Sequence, residues 1–331
     1  MKRHPEGTLR HAFAQVRARP LSRWALVLFA CIVHISVFAD FFASSDPILA
    51  RTPQGLVLLA NVTHDARVQD ARNQGTLEPL LRTPVPYGPN DTSGLTLEPP
   101  LAFVDHPLGT DAFGRDVFAR LLHGARVLVG LALAVVAVLV VLGSVVGALA
   151  GYFGGLLDVV VARGVETMSA FPTILLVLVA QALSGRPSPL FLVFAVSLAR
   201  FSEVVRVVRV EVLQVAHQEY VHAARATGAS SLGILWRHVG PNARTQAIAS
   251  ATFSLSVVVL SIAACDFLGF GLAHIAPTWG EMMAQIREHP TAWWLLALPV
   301  LCLFGLVMSQ SLAFEVLQES LDPRTGLRGD E

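Results

Sequence analysis

The chain has 331 residues, of which 53% are hydrophobic and 15% are charged, and its mean hydropathy is +0.58. This balance is too apolar for an ordinary soluble domain and indicates a membrane protein. The formal net charge is zero, so no basic excess indicates binding to nucleic acid.

Six apolar runs along the chain are long enough to cross a membrane as helices. A helix that crosses about 30 Å of hydrocarbon needs about 20 mainly apolar residues. Such runs lie near residues 21–42, 127–149, 159–183, 187–205, 247–270 and 292–314. We therefore predict an all-α membrane protein with about six transmembrane helices.

The segment before the first apolar run sets the orientation. Residues 1–20 contain Glu6 and five basic residues, Lys2, Arg3, Arg10, Arg17 and Arg19. Lys and Arg favour the cytoplasmic ends of membrane helices, so we expect residues 1–20 to be cytoplasmic and residues 21–42 to form the first transmembrane helix. The alternative is a cleaved signal peptide ending near Val37-Phe38-Ala39, but the run reaches full spanning length and suits an anchor better.

Residues 43–126 follow the first helix and lie outside the cytoplasm by this count. They are rich in turn-forming residues, as in TPVPYGPN at residues 83–90, and they have no long periodic stretch. Such a composition is typical of loops. We therefore predict an irregular extracytoplasmic insert.

The insert ends in a block with two acids and two glycines, HPLGTDAFGRDV at residues 106–117. Asp111 and Asp116, with Gly109 and Gly114, could form Asx-turns that lead into an interfacial helix over residues 117–122. A metal loop is the sharper alternative, but the acids lack the regular alternation and the closing Glu of a calcium loop.

The predicted core covers residues 127–317 and contains transmembrane helices 2–6. Its fourth helix is the weakest, because Arg200 and Glu203 lie near its end, where they could pair across one turn. The count of crossings places residues 206–246 and the tail at residues 318–331 in the cytoplasm. The arginines of the inner stretch agree with this placement; they are Arg206, Arg209, Arg225, Arg237 and Arg244.

The inner stretch contains a predicted helix, turn and second helix. Residues 219–228, EYVHAARATG, favour a helix as far as Gly228, which can adopt positive φ and end it. Ser230 or Ser231 can cap the next helix, and Pro241 is expected to stop it.

This loop has two readings from its residues alone. Its small residues would let another backbone approach closely, and Ile234, Leu235 and Trp236 could fill a groove in a partner. Alternatively, it is a short amphipathic helix on the membrane surface that only connects two spans.

Several motifs together resemble those of a known family. The pattern EYVxAARAxG at residues 219–228, followed by Ile234 and the pair at residues 241–242, resembles the EAA loop of binding-protein-dependent ABC importer permeases. The block at residues 106–117 is similar to the HPLGTDxxGRDV signature of dipeptide, oligopeptide and nickel permeases. Further similar segments are DFLGFG at residues 266–271, PTWGEM at residues 277–282 and LDPR at residues 321–324. Gly240 departs from the family, which usually has a bulkier apolar residue there.

The resemblance implies a type I ABC importer permease fold, in which this chain forms half of a path for peptides or peptide-like cargo. It also implies two groups of site residues. Those that would couple to a separate ATPase are Glu219, Ala223, Ala224, Gly228, Ile234 and Pro241. Those of the extracytoplasmic signature are His106, Gly109, Asp111, Gly114, Arg115 and Asp116.

The partners implied by the resemblance are a second permease subunit, usually a different chain, ABC ATPase subunits, an extracytoplasmic solute-binding protein and membrane lipid. The implied location is the bacterial inner membrane, with both termini cytoplasmic. Nickel or another small solute is the alternative cargo. A stand-alone secondary transporter is a further alternative, but it would need an ion-coupling site and often has an inverted repeat.

Asp266 departs from many relatives, which have Ser at this position. It lies near the outer end of the fifth apolar run. It is either an interfacial acid that extends toward water or a pathway residue that meets an amine of the cargo.

Catalytic and metal-binding motifs are lacking in the sequence. There is no GxxxxGK[ST] phosphate loop, so we expect ATP and Mg to be used by the partner ATPase, while this chain binds no cofactor and is not an enzyme. The histidines lack the HExxH spacing of zinc hydrolases, and Cys31, Cys265 and Cys302 lack CxxC spacing. We therefore expect no metal site.

Overall fold

The computed structural model describes residues 20–102, 104–185, 188–272 and 275–321. The predicted cytoplasmic segment before Pro20 and the tail from residue 322 onward, with most of the LDPR motif, lie outside the described residues. The chain forms two compact units. The first contains Leu131–Ile262 with the described residues up to 27 and from 307, and the second contains Leu28–Gly130 and Ala263–Leu306.

The described elements up to residue 153 are two helices, a region with three strands and then a long helix. In chain order they are α1 (Pro20–Val37), α2 (Ala39–Phe42), β1 (Leu49–Thr52), β2 (Gly55–Leu58), α3 (Ala60–Thr63), α4 (Ala66–Asn73), β3 (Glu78–Leu81) and α5 (Val117–Phe153).

The described elements after residue 153 are all helical. In chain order they are α6 (Gly155–Ser169), α7 (Thr173–Ser184), α8 (Pro189–Ala216), α9 (Glu219–Ala226), α10 (Ser231–Ile234), a π turn (Leu235–Val239), α11 (Gly240–Phe267), α12 (Trp279–Ala284), a 3-10 turn (Gln285–Arg287) and α13 (Trp294–Leu321).

Three of the described helices are long and apolar enough to cross a membrane: Val117–Phe153, the part of α11 over Gln246–Phe267 and the part of α13 over Trp294–Glu315. A fourth crossing is added if α6 and α7 count as one bent span. The first predicted span corresponds to the shorter apolar helix Arg23–Val37, and the fourth corresponds to α8, which is long but carries several charges. The prediction of about six transmembrane helices therefore stays a prediction.

Helix α5 begins ten residues before the predicted second span. Its first residue is Val117, so the predicted interfacial helix at residues 117–122 is the first part of this one long helix. The reason is that Asp116 caps it, accepting a hydrogen bond on Oδ1 from the Ala119 amide at 2.7 Å. No proline interrupts the sequence between residues 117 and 153.

The predicted third span, residues 159–183, is broken rather than continuous. Helix α6 ends at Ser169, α7 begins at Thr173, and the two helices meet at 88°. Pro172 between them has an extended conformation, with φ −58° and ψ 125°. Proline cannot donate a hydrogen bond to the preceding turn and its ring clashes with that turn, so the apolar pattern alone misses the break.

The predicted irregular insert contains regular structure over residues 49–81, so this part of the prediction is wrong. Strand β1 lies between β2 and β3 and is antiparallel to both. Ala50 and Val57 lie in a small core with residues of α3 and α4. The strands are only four residues long, too short to show a clear alternation in the sequence. Between residues 82 and 116 the described chain forms turns and isolated bridges.

Helices α5 and α8 pack closely within the first unit, through three glycines spaced four residues apart. A Cβ atom at Gly143 would lie 2.7 Å from Val204 Cγ1, and one at Gly147 would lie 2.7 Å from the Val205 carbonyl oxygen. At Gly151 the distance to the Arg209 carbonyl oxygen would be 2.7 Å. Small residues allow such close approach of membrane helices, and these glycines fix the register of α8 against α5.

Candidate functional site

The predicted coupling element, residues 219–241, is called the coupling segment here. The turn after its first helix, α9, confirms the prediction for Gly228, which has φ +84°. The Gly228 amide donates to the Arg225 carbonyl at 3.1 Å, and the Ala229 amide donates to the Ala224 carbonyl at 3.2 Å. A Cβ atom at Gly228 would meet no described atom within 4 Å. The turn therefore requires glycine for its backbone conformation and not for space.

The second arm of the coupling segment begins with a capped turn. The Ser230 Oγ accepts from the Gly233 amide at 3.2 Å, so Ser230, and not Ser231, caps α10. The chain then passes through the π turn and continues without interruption into α11. Helix α11 includes the candidate span Gln246–Phe267, so α10 and the π turn join the turn at Gly228 to a helix that is long and apolar enough to cross a membrane.

The prediction that Pro241 stops the second helix is wrong. Pro241 is the second residue of α11, where a missing amide hydrogen is tolerated because the preceding π turn has already changed the hydrogen-bond pattern. The Gly240 amide donates to the Leu235 carbonyl, and a Cβ atom at Gly240 would lie only 3.0 Å from that oxygen. The glycine that departs from the family pattern is therefore suited to the π turn.

The coupling segment presents only part of its predicted docking surface. Glu219, Ala223 and Gly228 are exposed, as is Pro241, whereas Ala224 is half-buried. Of the predicted apolar cluster, Ile234 and Leu235 are buried. The side chain of Ile234 thus packs within this chain and does not lie on the surface. The exposed large apolar side chains of the segment are Trp236, which is 73% exposed, Leu232 and Tyr220.

The signature at residues 106–117, which is predicted to be extracytoplasmic, lies in the second unit and forms a set of tight turns. Gly109 and Gly114 have φ of 80° and 74°. A Cβ atom at Gly109 would lie 2.3 Å from the Glu98 carbonyl oxygen. Asp111 Oδ1 accepts hydrogen bonds from the Phe113 and Arg115 amides, both at 2.9 Å. These contacts confirm the predicted Asx-turn.

The ends of the signature are joined by a buried pair. His106 Nδ1 lies 2.8 Å from Asp116 Oδ2, and both side chains are buried. The ring of Tyr87 lies against His106, with 4.4 Å between the ring centroids. Asp116 therefore holds the His106 ring with one carboxylate oxygen and caps α5 with the other.

The signature is also bound to the segment around α12, more than 160 residues later in the chain. Arg115 donates to Asp111 Oδ2 at 2.7 Å and to Glu281 Oε1 at 2.8 Å. Arg120, which is almost fully buried, donates to the second oxygen of Glu281. Gln285 Oε1 accepts from the Ala112 amide at 3.0 Å. We call Asp111, Arg115, Arg120, Glu281 and Gln285 the charge cluster.

Electrostatics favour the charged state of Arg115 in this cluster. Burial alone would lower the pKa of its guanidinium, but the hydrogen bond and charge of Asp111, together with the charge of Glu281, outweigh burial. The pKa of Arg115 is therefore raised above its usual value, which keeps the side chain cationic.

Two tryptophans add hydrogen bonds around the charge cluster. Trp279 Nε1 donates to the Leu121 carbonyl at 2.8 Å, and Trp294 Nε1 donates to the Thr110 carbonyl at 3.1 Å. A Cβ atom at Gly124 would lie 2.6 Å from the Trp279 ring. Both indole rings are buried, whereas Trp293 is exposed.

Asp266 lies in the second unit and closes the turn after α11. Its Oδ1 accepts from the Leu272 amide at 2.5 Å, and its side chain is buried. A Cβ atom at Gly271 would lie 1.7 Å from this oxygen. The carboxylate therefore holds a turn and does not extend to water as an interfacial acid would. A role for Asp266 in the pathway stays a prediction.

Arg120, Glu281 and Gln285 are not among the site residues predicted from the sequence. A signal for Glu281 was present, since it is an acid within an apolar stretch and has Gln285 four residues later on the same helical face. Among the described residues, no group of three or more His, Cys, Asp or Glu side chains could hold a metal ion.

Comparison with known proteins finds a family that matches this chain. Residues 143–327 match the sequence profile of a family described as "Binding-protein-dependent transport system inner membrane component". The chain is 30% identical over 330 residues to the inner membrane ABC transporter permease protein YejE of Escherichia coli (strain K12), with 94% of this chain and 96% of that protein covered.

Two further relatives match over about two thirds of this chain. The di/tripeptide transport system permease protein DppC of Pseudomonas aeruginosa (strain UCBPP-PA14) is 34% identical over 66% of this chain and 72% of its own length. The peptidoglycan transport system permease protein YejE of Agrobacterium fabrum (strain C58 / ATCC 33970) is 37% identical over 67% of this chain and 58% of its own length.

Proposed function

This chain belongs to the family of binding-protein-dependent transport system inner membrane components, and from this membership we propose that it is the subunit that forms half of the path for peptides in an ABC importer. Members of the family are ABC transporter permeases, which work with an ATPase and a binding protein. The chain also has described helices long and apolar enough to cross a membrane. It is therefore a multi-pass membrane protein whose role is transport and not catalysis.

The coupling segment is the proposed contact with the ATPase. The observation that carries this proposal is the direct passage from the exposed turn at Gly228 through α10 and the π turn into α11. A rigid helix passes movement from one end to the other, as element shifts do in switching proteins. Closure of an ATPase pair on ATP and Mg would press on Glu219, Ala223, Ala224 and the turn. Trp236 and Leu232 provide exposed apolar surface for a cleft in the partner.

Peptides are the proposed cargo. This proposal is supported by the similarity to a di/tripeptide permease and by the resemblance of the signature at residues 106–117. The relative named for peptidoglycan transport favours a second candidate, a peptide-bearing cell-wall compound. Nickel or another small solute remains the alternative cargo.

The proposed assembly has four kinds of component: this chain, a second and different permease chain, two ATPase subunits and an extracytoplasmic solute-binding protein. In the bacterial inner membrane both termini of this chain would be cytoplasmic. The excess of basic residues before the first span and in residues 206–246 supports this orientation.

Cysteine cross-linking tests the coupling proposal. We expect Ala223→Cys in the assembled transporter to form a cross-link with a cysteine in the ATPase cleft, and the yield to change on addition of ATP. Leu101→Cys in the insert is the control, since this exposed residue belongs to the predicted extracytoplasmic part. Cross-linking at position 101 and none at position 223 would overturn the proposal.

A further inference from the structure

Helix α8 has charged side chains on consecutive turns near its middle, at Arg200, Glu203 and Arg206. This part of α8 packs on the glycines of α5, since Val204 lies against Gly143 and Val205 lies against Gly147. From residue 127 to residue 153 α5 contains no charged residue. The charges of α8 therefore lie beside a stretch of α5 that is apolar enough to be surrounded by hydrocarbon.

Arg200 and Glu203 form a pair whose members differ in exposure. Arg200 Nη2 donates to Glu203 Oε2 at 2.5 Å. The Arg200 side chain is 10% exposed and that of Glu203 is 45% exposed. Arg200 Nε is buried and has no hydrogen-bond partner among the described residues. The arginine is thus fixed within the helix packing, and it holds the carboxylate of Glu203 outward.

The exposed side of α8 carries the charged Glu203 and Arg206 between two exposed apolar side chains, Leu198 and Val207. Arg206, three residues after Glu203, is also exposed and donates to Ser169 Oγ at 2.9 Å, at the end of α6. Arg206 begins the predicted cytoplasmic stretch, so Arg200 and Glu203 lie in the last two turns of the predicted span, where a charge that faces lipid still costs free energy, up to about 2.5–3.5 kcal/mol at the centre of a membrane helix. Charged groups within membrane helices therefore face water or a polar partner. In a subunit that forms part of a transport path, the water-filled surface is that path.

We propose that Glu203 lines the translocation path and that its carboxylate receives the α-ammonium group of a passing peptide. Arg200 is the positioning residue, and its charge already balances much of the charge on Glu203. The attraction for an ammonium group is then moderate, which suits a path, because a passing solute must bind well enough to enter and weakly enough to leave. This inference rests on the proposed function.

Thiol labelling of the assembled transporter tests whether the position faces water. In a background with Cys31, Cys265 and Cys302 changed to Ala, Glu203→Cys is compared with Val141→Cys, an exposed apolar position on α5 close to Gly143. The thiolate, which forms in water, attacks a membrane-impermeant thiol reagent, so we expect labelling at position 203 to be at least about tenfold faster. Equal rates would overturn the inference, since position 203 would then face lipid or a protein partner.

Transport of two cargoes tests the ammonium contact. The Glu203→Gln transporter is supplied with a short peptide and with an N-acetylated form that the binding protein still delivers. We expect uptake of the free peptide to fall about tenfold, the effect of losing about 1.4 kcal/mol, while uptake of the acetylated form is unchanged. Asp65→Asn is the control, because Asp65 also pairs with a nearby arginine, Arg67, but lies in the insert, outside the predicted spans.

The outcomes separate the inference from the proposed function. Equal loss for both cargoes, or no loss for either, would overturn the contact between Glu203 and the ammonium group. Absence of ATP-dependent uptake by the unchanged transporter would instead overturn the proposed function.

Discussion

Gly228 and Glu281 are each constrained at their own position, but for different physical reasons. Gly228 has free space around it and is fixed by its backbone conformation. Glu281 is fixed by its partners, since Arg115 and Arg120 both bind its carboxylate. The conformation of Gly228 could be predicted from the sequence, because a glycine after a helical stretch commonly adopts positive φ. The partners of Glu281 could not, because they are more than 160 residues away in the chain.

Substitution at Gly228 is expected to affect coupling according to backbone preference. Gly228→Val introduces a β-branched residue at positive φ, which costs about 1–2 kcal/mol and should shift the turn. Gly228→Asn is the control, because Asn tolerates this conformation. We expect the valine variant to insert normally but to lose most of the coupling between ATP hydrolysis and uptake, while the asparagine variant keeps it. Equal coupling in both variants would contradict this role of the turn.

Removal of the charge at Glu281 is expected to destabilise the protein. Glu281→Gln removes the carboxylate that binds the buried guanidinium of Arg120 most closely and leaves it only Asp111, at 3.6 Å; breaking a buried pair typically costs about 3–5 kcal/mol. Thermal unfolding of the purified protein should show a clear fall in the midpoint. Glu166→Gln removes an exposed acid and should leave the midpoint nearly unchanged. Equal midpoints for the two variants would show that the charge cluster does not stabilise the fold.

Helix α5 illustrates which elements the sequence predicts well. The apolar run of α5 is long and uninterrupted, so its existence is clear, although its start at Val117 depends on a cap.

Proline has opposite effects on helices at two places in the chain. Pro172 breaks a predicted span, whereas Pro241 lies inside the start of a helix. The difference depends on the local backbone, which is extended at Pro172 itself and forms a π turn before Pro241, and a residue pattern does not report this.

Close packing of α5 on α8 predicts a strong effect at Gly147. Gly147→Leu would force the side chain into the backbone of α8 at Val205, and overpacking usually costs about 1–3 kcal/mol. We expect the variant to reach the membrane in lower amounts and to unfold at a lower temperature.

Gly130→Leu in the same helix is the matched control, because no described atom lies within 4 Å of a Cβ atom at that position. A variant at position 147 as stable as the one at position 130 would show that α5 and α8 do not pack in this register.

The chain as a whole combines motifs that the sequence reveals with contacts that it hides. The EAA-like loop and the HPLGTD block could be recognised because their residues are contiguous. The contact of that block with α12 through the charge cluster could not be recognised from the sequence. The four-residue strands of the insert could not be recognised either. The exposed carboxylate of Glu203 is similarly hidden, since its pairing with Arg200 was predictable but its exposure was not.

This chain is proposed to form half of a path for peptides that depends on a separate ATPase. The most direct test is uptake of a labelled peptide into proteoliposomes that contain this chain with its permease partner, binding protein and ATPase. We predict uptake that needs ATP, the binding protein and the ATPase together, and that stops when the ATPase is omitted. Uptake by this chain alone, driven by an ion gradient, would contradict the claim and indicate a secondary transporter.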